Sequence, residues 1–274
     1  MKNINKIYNL IFCKVNSLRY YIKEKILYTA VKHKSFQILK KENPLISIVM
    51  PTYNRAKILS EIGIPTVLNQ TYKNFELIIV SHGSTDETEA VVNKINDNRI
   101  KFFKISRVKR YPENLDNHWA CHSVDATNYG LKQVKGDWIS YLDDDDIWTN
   151  DHLKKLLNFA TKNKHDFVSS QHIEIRYGEE KIIDNSNAKP PIGSCHTWLH
   201  TSNLSFFERN INAWRKSWNR IQDIDVRHRM SKVGLNFGYT KEVTYIAKPR
   251  PGESQIGIRA MKESEEYYKE KYKF

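Results

Sequence analysis

Four consecutive aspartates, residues 143–146, constrain this chain more than any other feature of its sequence. They follow directly after the aromatic and branched run 138–142, which is typical of a buried β-strand. If the extended backbone continues, Asp143 and Asp145 point to one side of the strand and Asp144 to the other. Adjacent carboxylates repel one another unless a positive partner lies among them, and the hard cations Mg²⁺ and Mn²⁺ prefer such oxygen ligands. The run therefore predicts a cation site at the end of a buried strand, with a solvated acidic turn as the alternative.

Composition indicates a soluble globular protein. Its 274 residues are enough for one large domain or two small ones, and a hydrophobic content of 40% supports a buried core. We expect neither a membrane-spanning segment nor a secretory signal peptide. The three cysteines, Cys13, Cys121 and Cys195, form no CxxC pair and suggest neither a zinc site nor a disulfide framework. A cytoplasmic location in a reducing environment is therefore expected.

The chain carries a formal net charge of +13, which suggests an anionic partner. Nucleic acid, anionic lipid and a phosphorylated substrate all have the required charge. No helix-turn-helix, zinc-finger or RNA-recognition motif is visible, and the central aspartates would repel nucleic-acid phosphates without a bound cation. The sequence therefore predicts no nucleic-acid partner.

Residues 1–43 form a basic extension that ends before Pro44. Apolar residues recur in it at a spacing of three or four, which predicts one apolar stripe along a helix: Ile4, Tyr8, Ile11, Val15, Leu18 and Ile22. Lysines and arginines fill many of the other positions, and Glu24 is the only acid before residue 42. A basic amphipathic helix can bind an anionic membrane surface, so residues 2–41 are expected either to do so or to pack on the chain's own domain or a partner chain.

Short apolar runs alternate with helical patterns from residue 44 onward. The runs 45–50, 75–80 and 99–105 predict strands that precede the central strand 138–142. This alternation predicts an α/β fold with a mostly parallel sheet and helices on both faces. Because ligands bind at the carboxyl ends of strands in such sheets, polar loops after Met50 and Val80 should meet the aspartates at one edge.

The remainder of the chain is less regular. A helix over 151–162, a hairpin with a turn at Gly178, a helix over 220–232 and a strand over 237–247 are predicted. The mixed pattern of residues 197–207 predicts no element. We place the main domain at 44–250 and a charged C-terminal helix within 251–274.

Several sequence segments together resemble the inverting glycosyltransferases of family 2, which adopt the GT-A fold. The segments that carry the resemblance are 46–55, 69–72, 75–80, 83–86 and 136–148. It covers residues 44–160 strongly and 220–250 weakly. Each segment alone is common, but their order and spacing are specific to the family.

The resemblance implies a nucleotide-sugar site, most simply for a UDP-sugar, with Mn²⁺ or Mg²⁺ as cofactor. The loop that lines the nucleobase matches three residues: Pro51, Thr52 and Tyr53. The motif of DxD type matches Asp143, Asp144 and Asp145, of which Asp143 and Asp144 bind the nucleotide-sugar and Asp145 ligates the metal. His82 stands where the family usually has an aspartate that accepts a hydrogen bond from the base, so the identity of the base is open.

The resemblance also implies a catalytic base. Asp223 matches the aspartate that deprotonates the acceptor hydroxyl, so that a single displacement inverts the anomeric configuration. Asp225 is the alternative base, and Asp223 could instead only cap a helix. Gln222 replaces the family's glutamate before the base, and Arg229 could bind phosphate or pair with Asp225.

These observations predict a metal-dependent glycosyltransferase that transfers a sugar from a nucleoside diphosphate to a hydroxyl of a glycan or lipid-linked acceptor. Its expected role is cell-surface polysaccharide synthesis on the cytoplasmic face of a membrane. A nucleotidyltransferase is one alternative, although the loop after the first strand lacks the glycine-rich phosphate motif of such enzymes. A non-catalytic module of the same fold that binds nucleotide-sugars is the other.

Overall fold

The computed structural model of the chain describes residues 2–107, 111–218 and 220–272, with side chains from residue 7 onward. The side chain of Ile4, the first member of the predicted stripe, lies outside the described residues. In this part of the chain nine strands form one sheet. The strands are β1 (Ile46–Thr52), β2 (Phe75–His82), β3 (Ile100–Ile105), β4 (Trp138–Tyr141), β5 (Ile147–Trp148), β6 (Phe167–Arg176), β7 (Glu179–Ile183), β8 (Leu199–Thr201) and β9 (Phe237–Ala247).

The strand order is β3-β2-β1-β4-β8-β6-β9-β5, with β7 paired to β6. Strands β1 to β4 run parallel to one another, with Val49 opposite both Ile78 and Tyr141. Strands β4 and β6 are both antiparallel to β8 and therefore parallel to each other, and β9 is parallel to β6. The predicted mostly parallel sheet is thus confirmed, and the carboxyl ends of β1, β2, β4, β6 and β9 lie at one edge.

Helices connect the strands on both sides of the sheet. They are α1 (Lys2–Val31), α2 (Ser35–Ile38), α3 (Ala56–Ile58), α4 (Ile64–Leu68), α5 (Thr88–Asn93), α6 (Leu115–Trp119), α7 (Val124–Gln133), α8 (His152–Asn163), α9 (Gln222–Val233), α10 (Gly257–Glu263) and α11 (Glu265–Tyr272). None of them, within the described residues, combines the length and the apolar composition that a membrane span requires.

Alternation along the strands produces two hydrophobic layers. One layer packs beneath α4 and α8: Ile46, Ile48, Met50, Leu77, Ile79, Leu153 and Leu156. The opposite layer packs beneath α9: Val49, Ile139, Tyr141, Phe167, Trp198, Val226 and Met230. Helices on both faces, as predicted, follow from this division of the side chains.

The helical segment after β1 is irregular where it meets the aspartate run. A π-helical turn, Leu59–Gly63, separates α3 from α4. A Cβ atom at Gly63 would lie 2.6 Å from the carbonyl oxygen of Asp144, closer than carbon and oxygen approach in proteins. Glycine at this position therefore allows the segment to pack directly against the acidic loop.

Helix α1 packs along α9 with one face and leaves its other face exposed. On the packed face Glu24 pairs with Arg229, and Nδ2 of Asn210 donates to Oδ1 of Asn16 over 3.0 Å. The exposed face carries the predicted stripe: Ile11 and Val15 are 58% and 62% exposed, and Ile22 is 51% exposed. Helix α1 thus packs on the chain's own domain, which is one of the predicted alternatives. Its apolar stripe stays exposed and can still contact a membrane or a partner chain.

Candidate active site

A cleft of about 600 Å³ lies at the carboxyl edge of the parallel strands. This volume is within the range typical of ligand pockets. Charged side chains from separate segments line it: Arg55, Asp143, Asp145, His196, Asp223 and Arg250. The convergence predicted for the loops after β1 and β4 is therefore observed, and the N-terminus of α9 joins them.

The acidic run leaves the extended conformation, yet the predicted division of its side chains is observed, because Asp143 and Asp145 line the cleft whereas Asp144 is buried. A turn forms instead, in which the Asp146 amide donates to the Asp143 carbonyl over 3.3 Å. Oδ2 of Asp144 accepts a hydrogen bond of 2.6 Å from the Thr52 hydroxyl, which fixes Asp144 in the interior. The turn therefore places Asp143 and Asp146 on the same side.

Two arginines neutralise the middle of the run. Nη1 of Arg55 lies 2.6 Å from Oδ1 of Asp144 and 3.1 Å from Oδ2 of Asp145. Nε of Arg250 lies 3.6 Å from the same oxygen of Asp145. Burial raises the pKa of Asp144, while the Arg55 guanidinium opposes this shift. Positive side chains of the chain itself therefore offset the repulsion that the sequence implied.

Asp143, Asp146 and His196 form a candidate cation site. One ligand atom from each lies within 4.8 Å of the other two. Nε2 of His196 is 3.4 Å from Asp143, and Nδ1 is 2.9 Å from Oδ2 of Asp146. That Nδ1 atom is buried and, among the described residues, makes no hydrogen bond of acceptable geometry. The opposite oxygen of Asp146 accepts a hydrogen bond of 2.8 Å from the Tyr245 hydroxyl, which orients the carboxylate.

Asp223 lies in the first turn of α9 and faces the cleft. Nε of Arg209 lies 3.0 Å from its Oδ1. The Arg209 guanidinium is buried over the ring of Tyr141, at 4.5 Å from the ring centroid. The side chain of Asn128 fixes the Arg209 backbone by accepting from its amide over 2.7 Å and donating to its carbonyl over 2.9 Å. Asp223 is thus a cleft carboxylate with a rigid cationic support.

The neighbouring residues of α9 have different surroundings. Nε2 of Gln222 donates to the Ser123 hydroxyl over 2.7 Å. The side chain of Asp225 is only 1% exposed and pairs with Lys216 and with Nε of Arg229, the latter at 2.9 Å. Of the two roles predicted for Arg229, phosphate binding and pairing with Asp225, the structure shows the pairing. Asp223 is one of the described residues that line the cleft, whereas Asp225 is not. The geometry therefore favours Asp223 over Asp225 as the candidate base.

The predicted nucleobase residues lie together; Thr52 and His82 are buried, and Tyr53 is half-buried. Pro51 lines the cleft. The ring of Tyr53 stacks on that of Tyr272, with 5.9 Å between centroids. His82 is buried, with its ring 5.4 Å from that of Tyr111. The structure thus brings the two loops together, with the Tyr53 ring against Tyr272 and the His82 ring against Tyr111.

Sequence reasoning assigned no role to Arg55, His196, Arg209 or Arg250. Arg55 and Arg250 carry a weak signal, because each stands in a loop directly after a predicted strand. His196 and Arg209 lie just before and just after the stretch 197–207, for which no element is predicted, so nothing in the pattern placed them near residues 143–146 or Asp223.

Two relatives with matching sequences are described as glycosyltransferases. An uncharacterized glycosyltransferase of Haemophilus influenzae is 41% identical over 141 residues, which are 52% of this chain and 49% of that protein. WfgD of Escherichia coli, a UDP-Glc:α-D-GlcNAc-diphosphoundecaprenol β-1,3-glucosyltransferase by name, is 34% identical over 143 residues, 52% of this chain and 48% of that protein. The chain thus spans about half the length of these relatives.

A solved structure and a family model agree with these relatives. The crystal structure of S. aureus TarS 1–349 in complex with UDP-GlcNAc has a TM-score of 0.58 and 19% identity, and covers 76% of this chain and 60% of its own. The likeness confirms the predicted GT-A fold. The model of glycosyl transferase family 2 matches residues 47–231, and the chain belongs to this family.

Proposed function

We propose that the protein is a metal-dependent, inverting glycosyltransferase that moves a sugar from a nucleoside diphosphate to a hydroxyl of a lipid-linked or glycan acceptor. One observation carries the proposal: the carboxylate of Asp223 lines the same cleft as Asp143, Asp145 and Asp146. Sugar transfer needs stabilisation of a departing diphosphate and removal of a proton from a hydroxyl. Groups suited to both tasks share this cavity.

The acidic end of the cleft suits the diphosphate of the donor together with a cation. Two carboxylates and an imidazole whose Nδ1 atom lacks a well-aligned hydrogen bond form a donor set that Mn²⁺ accepts. Asp145 is the expected direct ligand, and Asp143, Asp146 and His196 are further candidates. A bound cation would supply positive charge that stabilises the leaving diphosphate. Arg55, which pairs with Asp144 and Asp145, can contribute charge to the same phosphates.

The other end of the cleft suits the acceptor. In the proposed reaction the acceptor hydroxyl loses its proton to the carboxylate of Asp223 while its oxygen forms a bond to the anomeric carbon. The bond from that carbon to the diphosphate oxygen breaks on the opposite face, which inverts the configuration. Arg209 lies 3.0 Å from Oδ1 of Asp223 and holds the carboxylate in place, so Oδ2 is the atom we assign to proton removal.

The names of the similar proteins support the choice of donor and acceptor. WfgD is named for transfer of glucose from UDP-Glc to a GlcNAc-diphosphoundecaprenol, and TarS was crystallised with UDP-GlcNAc. A UDP-sugar donor and a lipid-linked acceptor are therefore our proposal, with a role in cell-surface polysaccharide synthesis. His82 stands at the position expected to contact the base, and its imidazole can donate or accept a hydrogen bond. It can therefore bond to a carbonyl oxygen of uracil or to the N–H group of uracil.

Helix α1 supports a peripheral location on the cytoplasmic face of a membrane. Its exposed stripe follows a spacing of three or four residues: Ile11, Val15, Leu18, Ile22 and Ile26. Exposed Lys14, Arg19 and Lys23 flank this stripe. Apolar side chains bordered by cations match the boundary between anionic headgroups and acyl chains. Such docking would bring the cleft to a lipid-linked acceptor.

A donor panel tests the proposal directly. UDP-Glc, UDP-GlcNAc and GDP-Man are each incubated with Mn²⁺ and a lipid-diphosphate-linked GlcNAc acceptor, and the products are analysed by NMR. We expect release of UDP and a new glycosidic bond of opposite anomeric configuration to the donor. A product of retained configuration would contradict the mechanism. Release of sugar 1-phosphate in place of UDP would indicate nucleotidyl transfer, and donor binding without turnover would indicate a non-catalytic module.

A further inference from the structure

The C-terminal helix α11 ends on the loop that the resemblance assigns to the nucleobase. Its last described residue, Tyr272, stacks on Tyr53 with ring centroids 5.9 Å apart and an angle of 17° between the rings. A planar base between two rings needs a separation of about 7 Å, twice the roughly 3.5 Å contact of stacked carbon atoms. No base fits between these two rings as they stand.

Further groups contact the rings of Tyr53 and Tyr272, and Tyr53 is half-buried. The guanidinium carbon of Arg107 lies 4.2 Å from the Tyr53 ring centroid and 5.1 Å from that of Tyr272. The ring of His118 lies 4.3 Å from that of Tyr272. Tyr272 lines the cleft, whereas Tyr53 is not among the described residues that do so. The Tyr272 ring therefore separates Tyr53 from the cavity in which a donor would bind.

Helix α11 is held by several contacts. Those with the loop include a hydrogen bond of 3.3 Å from the Tyr53 hydroxyl to the Lys271 carbonyl and one of 3.2 Å from the Lys271 amine to the Asn54 carbonyl, and the Tyr268 hydroxyl donates to Glu253 over 2.9 Å. Of the residues described in α11, only Tyr268 and Tyr272 are buried. Release of a helix with two buried side chains breaks few apolar contacts, and the free energy that it costs would be supplied by donor binding. The break at Ser264 between α10 and α11 provides a point about which it can move.

We propose that Tyr272 is a donor-site residue that occupies the place of the nucleobase in the free protein and is displaced when the donor binds. The inference rests on the proposed function, because it takes Tyr53 as the residue on which the base stacks. Apparent donor affinity is then reduced by the fraction of molecules in which α11 is closed. The helix thereby makes access to the donor site depend on its own release.

Titration with UDP in the presence of Mn²⁺ tests the proposal. Tyr272→Ala removes the ring from the slot, and Tyr267→Ala removes a ring of the same type from an exposed position, 58% accessible, on the same helix. We expect the Kd for UDP to fall about tenfold in Tyr272→Ala, as for a closed fraction near nine tenths, and to stay unchanged in Tyr267→Ala. Equal or weaker binding by Tyr272→Ala would overturn the proposal while leaving the donor site intact.

Hydrogen exchange on the unmodified protein provides an independent measurement that does not depend on a variant folding. Addition of UDP should speed exchange of the α11 amides, because the helix is released. Slower exchange would mean that α11 closes over the donor instead, and would overturn the proposal. If the unmodified protein and both variants all fail to bind UDP, GDP and dTDP, the proposed function fails at its donor site and the role of Tyr272 fails with it.

Discussion

Nε of Arg209 lies 3.0 Å from Oδ1 of Asp223, and the two side chains meet where the loop before α9 borders the cleft. Because the guanidinium is buried over Tyr141 and its backbone is fixed by Asn128, it holds the carboxylate in one orientation. Arg209→Gln should therefore lower the transfer rate by about tenfold to a hundredfold, the range expected when a reacting group is misplaced.

The affinity of the Arg209→Gln variant for UDP should not change, because Arg209 contacts Asp223 at the proposed acceptor end of the cleft. Steady-state transfer and UDP titration measure the two effects separately. Arg220→Gln is the matched control, since Arg220 is exposed and precedes the same helix. An unchanged transfer rate in Arg209→Gln would show that Asp223 needs no such support.

Metal removal forms the second prediction. Excess chelator should abolish transfer, and Mn²⁺ or Mg²⁺ should restore it. Asp145→Asn should lose both metal affinity and turnover, and His196→Gln should weaken Mn²⁺ binding by roughly tenfold to a hundredfold, as loss of a group at a metal site typically does. Asp151→Asn, outside the cleft lining of the described residues, is the control. Full activity in chelator would remove the metal from the mechanism.

The third prediction concerns the exposed stripe of α1. Leu18→Gln and Ile22→Gln should each weaken binding to phosphatidylserine vesicles about tenfold, since an apolar side chain of this size contributes roughly 1.5–3 kcal/mol when fully buried. Both residues are more than half exposed, so folding should be unaffected. Ile182→Gln changes a similarly exposed isoleucine on β7 and serves as control.

Point substitutions are preferable to deletion of residues 2–41. Such a deletion would remove Glu24, the buried partner of Arg229, and should destabilise the whole protein. If the unmodified chain ignores anionic vesicles even at low salt, the stripe binds another partner.

The fourth prediction is a pH dependence of stability. Burial lowers the pKa of His152 to about 3 in the folded protein, against about 6.5 when unfolded. The contribution of neutral His152 to the free energy of unfolding is therefore fully present above pH 6.5. It is lost as the pH falls toward 3, because the imidazole takes up its proton in the unfolded chain before it does so in the folded protein. The free energy of unfolding should fall by about 1.4 kcal/mol per pH unit from this group within that window.

His152→Phe retains an aromatic ring to stack on Trp148, where the centroids are now 3.9 Å apart. Urea unfolding between pH 6.5 and 4.5 gives the free energy of unfolding at each pH. Its slope against pH should be smaller in this variant than in the unmodified protein, by the contribution of one proton. Measurements above pH 7 provide the internal reference, since there the two slopes should coincide. Equal slopes below pH 6.5 would mean that His152 does not remain neutral in the folded state.

The parts of this fold that local pattern determines could be predicted from the sequence. Runs such as 75–80 and 138–142 are apolar because both faces of the strand are buried, and the position of residues 143–146 at a strand end follows from the order of elements. The turn within the acidic run could not be predicted. It depends on Thr52 and Arg55, which are about ninety residues away in the chain.

Fewer residues at the proposed acceptor end of the cleft could be predicted from the sequence. Asp223 was identified only through the resemblance to the family. Arg209 and His196 come from a stretch that contains the three-residue strand β8, which is too short to show a period. The position of α11 on Tyr53 is equally a tertiary result, because the pattern of residues 265–272 shows a helix but not what it covers.

Asp225 provides a stability control for the central claim. It is buried between Lys216 and Arg229, so Asp225→Asn removes the carboxylate that pairs with Lys216 and one of the two that pair with Arg229. The free energy of unfolding should fall by roughly 3–5 kcal/mol, the usual cost of breaking a buried ion pair. Transfer per folded molecule should be retained, because the side chain does not contact the cleft.

Asp223→Asn gives the most direct test that Asp223 is the general base. The substitution keeps the shape of the side chain and removes the proton acceptor, so transfer should fall by about 10² to 10⁴-fold, the usual contribution of general-base catalysis. UDP and Mn²⁺ affinities, measured by calorimetry on the same protein, should stay unchanged. A normal transfer rate in Asp223→Asn, or a loss of UDP binding in place of a loss of turnover, would contradict the assignment.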